Sequence, residues 1–166
     1  MELTDNAMCE KVETEWLQAI TGESAMRGDG RNKLRTYRHF KHDFNTEGCL
    51  RTVKNRQHRS ALAKFRCGVA PIQIELGRYG GVPENERLCP ICLQDVESET
   101  HVLIDCDFYQ DIRSDLMRYA STNIENFSEL NSFEKLCALL SCENVQPLCA
   151  KTCFTILERR RSFVYR

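Results

Sequence analysis

Four residues in the middle of the chain have the types and spacing of metal ligands. Cys89, Cys92, His101 and Cys106 form a C-x2-C-x8-H-x4-C array that opens on Cys89-Pro-Ile-Cys92. Two thiols three residues apart let one tight turn aim both sulfurs at a single ion, and three sulfurs with one imidazole suit zinc, which is borderline soft and prefers four tetrahedral donors. Four protein ligands leave no position for water, so the expected cofactor is one structural Zn2+ that folds its loop rather than catalyses. Such an ion contributes about 10 to 16 kcal/mol of apparent binding free energy in small modules. The opposing reading, four incidental buried residues, fits a lone C-x2-C better than four zinc-competent side chains between positions 89 and 106. In an α-helix the five steps from His101 to Cys106 would carry the two side chains about 140° apart. Any helix holding His101 is therefore predicted to be short or to end before Cys106.

No catalytic constellation accompanies the array. There is no paired-aspartate polymerase motif, no nucleophile with its base and no open metal site, so no catalytic residues are assigned and the chain is read as a non-enzyme. Cys-Pro-Ile-Cys also opens RING-type domains, but those need eight ligands for two ions, and a second set is absent. Cys137, Cys142, Cys149 and Cys153 lie among Leu, Ala and Phe, and packed free thiols are expected there rather than a second metal. His39, His42 and His58 are read as surface or phosphate-contacting groups; Cys9, Cys49 and Cys67 are left unassigned.

The elements that must position the array read as helices. Val12, Trp16, Ala19 and Ile20 share a face, which predicts a short amphipathic helix over 10–20; Gly22, Gly28, Asp29 and Gly30 then mark a linker. Leu34, Tyr37, Phe40 and Phe44 recur at helical spacing as an aromatic stripe flanked by cations, and 45–48 supplies a turn. A second helix is expected over 50–66, with Leu50, Val53, Ala61, Leu62 and Phe65 inward. Glycines and prolines keep any element over 67–88 short, such as 72–76. Beyond the array, Phe108, Ile112, Leu116 and Tyr119 predict a helix, and Phe133, Leu136, Cys137 and Leu140 another. A long C-terminal helix is read from Leu148, Thr152, Ile156 and Phe163, with Cys149, Cys153 and Leu157 beside them; Arg159, Arg160, Arg161 and Arg166 suit the negative end of its dipole. The fold class is mainly α: a small helical domain around one loop-rich CCHC site, with little or no β-structure. The expected organisation is an acidic segment and linker over 1–30 and a zinc-containing helical domain over 31–166. That domain divides into basic helices (31–66), the zinc module (67–106) and C-terminal helices (107–166).

A chain of 166 residues with 42% hydrophobic and 28% charged side chains is one ordinary domain's worth. The acidic N-terminus lacks a secretory pattern and no apolar run approaches a membrane span. An intracellular setting without membrane association, nuclear more than cytoplasmic, is expected, and ten cysteines there read as thiols and metal ligands rather than disulfides. The net charge of −1 hides an asymmetry: residues 1–30 carry −5, residues 31–66 carry +9 and the remainder −5. The central block holds Arg31, Lys33, Arg35, Arg38, Lys41, Lys54, Arg56, Arg59, Lys64 and Arg66 interleaved with aromatic residues, which makes these ten the candidate contacts to RNA or DNA phosphates. The aromatics themselves are read as core.

The array and its surroundings resemble the zinc motif downstream of the reverse transcriptase domain in non-LTR retrotransposon polyproteins. The similar stretches are Ile74-Glu-Leu-Gly-Arg-Tyr79, Glu86-Arg-Leu-Cys-Pro-Ile-Cys92, Glu99-Thr-His-Val-Leu-Ile-Asp-Cys106 and Leu157-Glu-Arg-Arg-Arg-Ser-Phe-Val-Tyr165. The resemblance spans 31–166, is strongest around the array, and implies a region that grips the element's RNA or target DNA. Nothing catalytic of that family is present, so polymerase activity is not carried over. The competing expectation is a protein-interaction adaptor with a purely structural zinc site, docking a partner through the acidic N-terminus or the C-terminal helices.

Overall fold

The computed structural model describes residues 2–21 and 34–165. Its longer elements are all helices: α1 (Glu2–Thr21), α2 (Cys49–Thr52), α3 (Arg56–Cys67), α4 (Gln73–Tyr79), α5 (Gln110–Asn123), α6 (Ser132–Ser141) and α7 (Gln146–Val164). Short 3-10 turns and one π-helical turn, His101–Asp105, connect them. There is no strand among the described residues, only an isolated antiparallel pairing of Leu88 with Val96. The mainly α class expected from the periodicity is the one observed.

The helix expected over 50–66 is two helices, and Asn55 divides them. Its backbone is extended and its side-chain carbonyl accepts from the amides of Gln57 (2.8 Å) and His58 (3.2 Å), so it caps α3 instead of continuing α2. Of the inward residues, Val53, Ala61, Leu62 and Phe65 are buried, whereas Leu50, on the short α2, is 55% exposed. α3 ends on Gly68, whose φ of +68° lets the amide of Val69 bond back to the Lys64 carbonyl.

The core forms where α3 lies along α7, with α5, α6 and α2 packed against α7 as well. Leu62, Phe65, Cys149, Cys153 and Ile156 are fully buried there, each large apolar side chain worth about 1.5–3 kcal/mol of transfer free energy. The buried face of α7 runs through Cys149, Cys153, Ile156 and Arg160, not through Leu148 and Phe163, and Phe163 is 42% exposed. Similarly α5 turns Arg113, Leu116 and Ala120 inward and leaves Tyr119 out, and α6 buries Leu136, Leu139 and Leu140 but not Phe133. The α6 start is fixed by a capping box between Asn131 and Glu134.

Two N-terminal expectations are corrected. α1 is longer than 10–20, and among the described residues its contacts lie near its C-terminal end: Ile20 is buried, Trp16 packs edge-on against Phe44 at 5.4 Å, and Val12 and Ala19 face solvent. The aromatic stripe sits on no α-helix among the described residues; Tyr37–His39 is one 3-10 turn followed by an irregular loop. Side-chain bonds explain the departure. Tyr37 donates to Glu47, Lys41 donates to the Asn45 carbonyl (2.9 Å), and the Arg66 guanidinium lies over the Tyr37 and Phe40 rings at 5.6 and 4.7 Å. Residues 22–33, which include the expected linker glycines, lie outside the described residues. No helix is long and apolar enough to cross a membrane.

Candidate metal centre and basic surface

The Cys89–Cys92 turn is closed by the Leu93 amide donating to the Cys89 carbonyl (2.9 Å), with Leu93 at φ 57°. The returning chain is held by the Cys89 amide on the Asp95 carbonyl (2.8 Å) and the Glu97 amide on the Arg87 carbonyl (2.9 Å). The knuckle aims both sulfurs inward. His101 arrives on the π-helical turn, where the Cys106 amide donates to the His101 carbonyl at 2.7 Å. That hydrogen bond between residues five apart widens the turn, so His101 and Cys106 return to the same side and the divergence of a regular α-helix does not arise. Cys106 itself is extended, outside the turn.

The four ligand atoms lie within 4.8 Å of one another, and Cys92 Sγ is 3.3 Å from His101 Nε2. A tetrahedral ion with bonds of about 2.3 Å to sulfur and about 2.0 Å to nitrogen would set such a pair about 3.5 Å apart. Cys89, His101 and Cys106 are buried and Cys92 is half-buried. The donor set therefore fits a single metal ion. No second group of three metal-competent side chains occurs among the described residues, and Cys149 and Cys153 are packed in the core.

Without an ion, the surroundings treat the three thiols differently. Burial pushes the Cys89 thiol up, against the amides of Cys92 and Ile91, which hydrogen-bond to it. Burial likewise pushes Cys106 up to about 12, against the Phe108 amide and together with the neighbouring Cys89 and Cys92. Burial also raises Cys92, but the Gln94 amide, the thiols of Cys89 and Cys106 and the Asp95 amide together bring it below its ordinary value. Three thiolates on a divalent ion leave one net negative charge. Arg113, only 7% exposed, donates to the Cys106 carbonyl at 2.5 Å from α5 and would offset that charge were the ion bound. The Tyr109 hydroxyl, buried with no hydrogen-bond partner among the described residues, feels the charges of Glu97, Cys89 and Cys106.

A buried ion pair ties this loop to the core. Arg160 of α7 donates from Nε and a terminal nitrogen to the two Glu97 oxygens, both at 2.7 Å. Glu97 also accepts from the Gln73 amide (2.6 Å) and its carbonyl from the Ile74 amide (3.1 Å), which fixes the start of α4. Sequence reasoning placed neither Arg113 nor the Glu97–Arg160 pair. Arg160 sat in a run of arginines that reads as a solvated helix end.

The ten candidate phosphate contacts are not equivalent. Arg31 and Lys33 lie outside the described residues. Arg66 is buried and bonded to Glu47 and the Leu140 carbonyl. Arg35 grips Glu99 at 2.5 and 3.2 Å and reaches Glu75 at 3.4 Å. Lys41 is buried 3.3 Å from Glu47, and Arg59 donates to the Val53 carbonyl at 2.8 Å. Arg38 is half-buried. Lys54, Arg56 and Lys64 are exposed and make no ion pair among the described residues. The basic block is thus partly an internal ionic framework, with its free charge on and just before α3. In comparisons with known proteins, no family model, curated protein or solved structure matches the chain.

Proposed function

We propose that the chain is a non-catalytic nucleic-acid-binding module held together by one zinc ion, of the kind found after the polymerase of non-LTR retrotransposons. The convergence of Cys89, Cys92, His101 and Cys106 carries the metal half of this reading. Bound zinc would supply a closed structural crosslink between the knuckle and the turn before α5, with no site left for substrate. Lys54, Arg56 and Lys64, which make no ion pair among the described residues, support the nucleic-acid half, because exposed cations of that kind can replace counterions on a phosphate backbone.

Native mass spectrometry tests the first half: one zinc per chain, absent from Cys106→Ala. Titration with a labelled RNA and its DNA equivalent at two salt concentrations tests the second. A folded, zinc-loaded protein that binds neither at low salt would sink it. One observation favours the alternative, a protein-interaction adaptor: α1 exposes Met8 (63%) and Val12 (45%) beside its acidic residues, a surface that a partner can cover. A stable hetero-complex through α1 with no nucleic-acid affinity would establish that reading.

A further inference from the structure

A groove of about 710 Å³ runs between α3 and α7. Its size lies within the roughly 300–1,000 Å³ of small-ligand sites. Ala61, Phe154 and Leu157 give it an apolar lining. Arg56 and Lys64 from α3 and Arg161 from α7 stand around it, all exposed and none in an ion pair among the described residues. Tyr165 completes it, 68% exposed and without an aromatic partner among the described residues. Arg160 also lines the groove, but its charge is matched by Glu97. Among the described residues Glu158 is the one acid there, so three cations outside any ion pair leave a surplus of two positive charges.

We infer that this groove takes a single strand of nucleic acid, with a base laid on the Tyr165 ring and the apolar lining and neighbouring phosphates on Arg56, Lys64 and Arg161. The inference rests on the nucleic-acid reading above and adds the site and the strand form. Cations beside a bare ring and an apolar floor match the alternation of phosphate and base along an unpaired strand. A duplex keeps its base faces stacked inside and offers nothing to the ring or the floor. An acidic peptide matches the charge but brings no flat face for Tyr165.

Fluorescence anisotropy with a short labelled RNA, alone and annealed to its complement, tests this on the zinc-loaded chain. The expected result is tighter binding of the single strand. Tyr165→Ala should weaken it by roughly five- to one-hundred-fold and Tyr165→Phe should retain it. Arg56→Gln, Lys64→Gln and Arg161→Gln should each flatten the salt dependence by about 0.7 in logarithmic slope, while Arg118→Gln, exposed on α5, should change nothing. Ultraviolet crosslinking with peptide mapping gives a readout that needs no variant, and should mark residues 154–165. Strand binding unaffected by Tyr165→Ala and Arg161→Gln, crosslinks elsewhere, or equal affinity for the duplex would overturn the groove while leaving the broader reading intact. Displacement of the strand by polyglutamate at equal charge concentration would overturn it in favour of an acidic peptide. Failure of the wild-type chain to bind either RNA form would remove both readings.

Discussion

Arg160→Met removes the guanidinium that holds Glu97 beneath the metal loop while keeping an apolar side chain of similar length. Glu97 is 0% exposed and Arg160 2%, so among the described residues the carboxylate left behind keeps only the Gln73 amide as donor. Removing one partner of a buried, doubly hydrogen-bonded ion pair costs about 3–5 kcal/mol. At about 2–4 °C per kcal/mol for a chain of this size, the melting temperature should fall by roughly 6–20 °C. Pairing the substitution with Glu97→Gln removes the stranded charge, so the double variant should be more stable than the summed single losses imply, with a coupling of up to about 3 kcal/mol. Urea and thermal unfolding of the zinc-loaded proteins, followed by circular dichroism, measure both quantities. A loss below about 1 kcal/mol, or strict additivity in the cycle, would refute the claim that this pair anchors the loop.

Metal affinity should fall steeply in acid. Cys89 and Cys106 are held above the ordinary thiol range, so at neutral pH the metal-free site keeps their protons and binding must release them. The bound state holds fewer protons, hence affinity rises with pH, by about a hundredfold per unit for two protons, as competition titration with a chelator will show. Asn55→Ala removes the acceptor for the first amides of α3 and should cost about 1 kcal/mol in chemical denaturation. The logarithmic salt slope for single-stranded RNA should be about −2 to −3, set by three or four free cations at about 0.7 each; a value near −7, as ten contacts would give, would mean that Arg35, Lys41 and Arg66 leave their internal partners.

The candidate metal site was legible because each of its residues lies within a few positions of the next and local spacing fixes what a turn can do. The helices were legible for the same reason, from apolar residues three and four apart. Burial of charge was not. Arg35 meets Glu99 across 64 positions and Arg160 meets Glu97 across 63, and no local pattern separates a cation bound for such a partner from one bound for solvent. The α7 face was misjudged for that reason: its buried line ends on Arg160, which periodicity counts as polar and therefore outward. The break at Asn55 was readable in principle, since an asparagine ahead of a helical run is a cap signal, but the apolar spacing on either side masked it.

Counted in chain length, the wide turn at His101 holds one residue more than an α-turn of the same span, and so stores slack. The turn lies between two anchors, Glu97 on Arg160 before it and Arg113 on the Cys106 carbonyl after it, while the main core lies elsewhere, between α3 and α7. A metal ion bound at this place would work as a register lock. Its loss would free the slack to slide between the anchors before any helix melts, and the Cys106 amide, which closes the turn, would be the first to exchange its hydrogen.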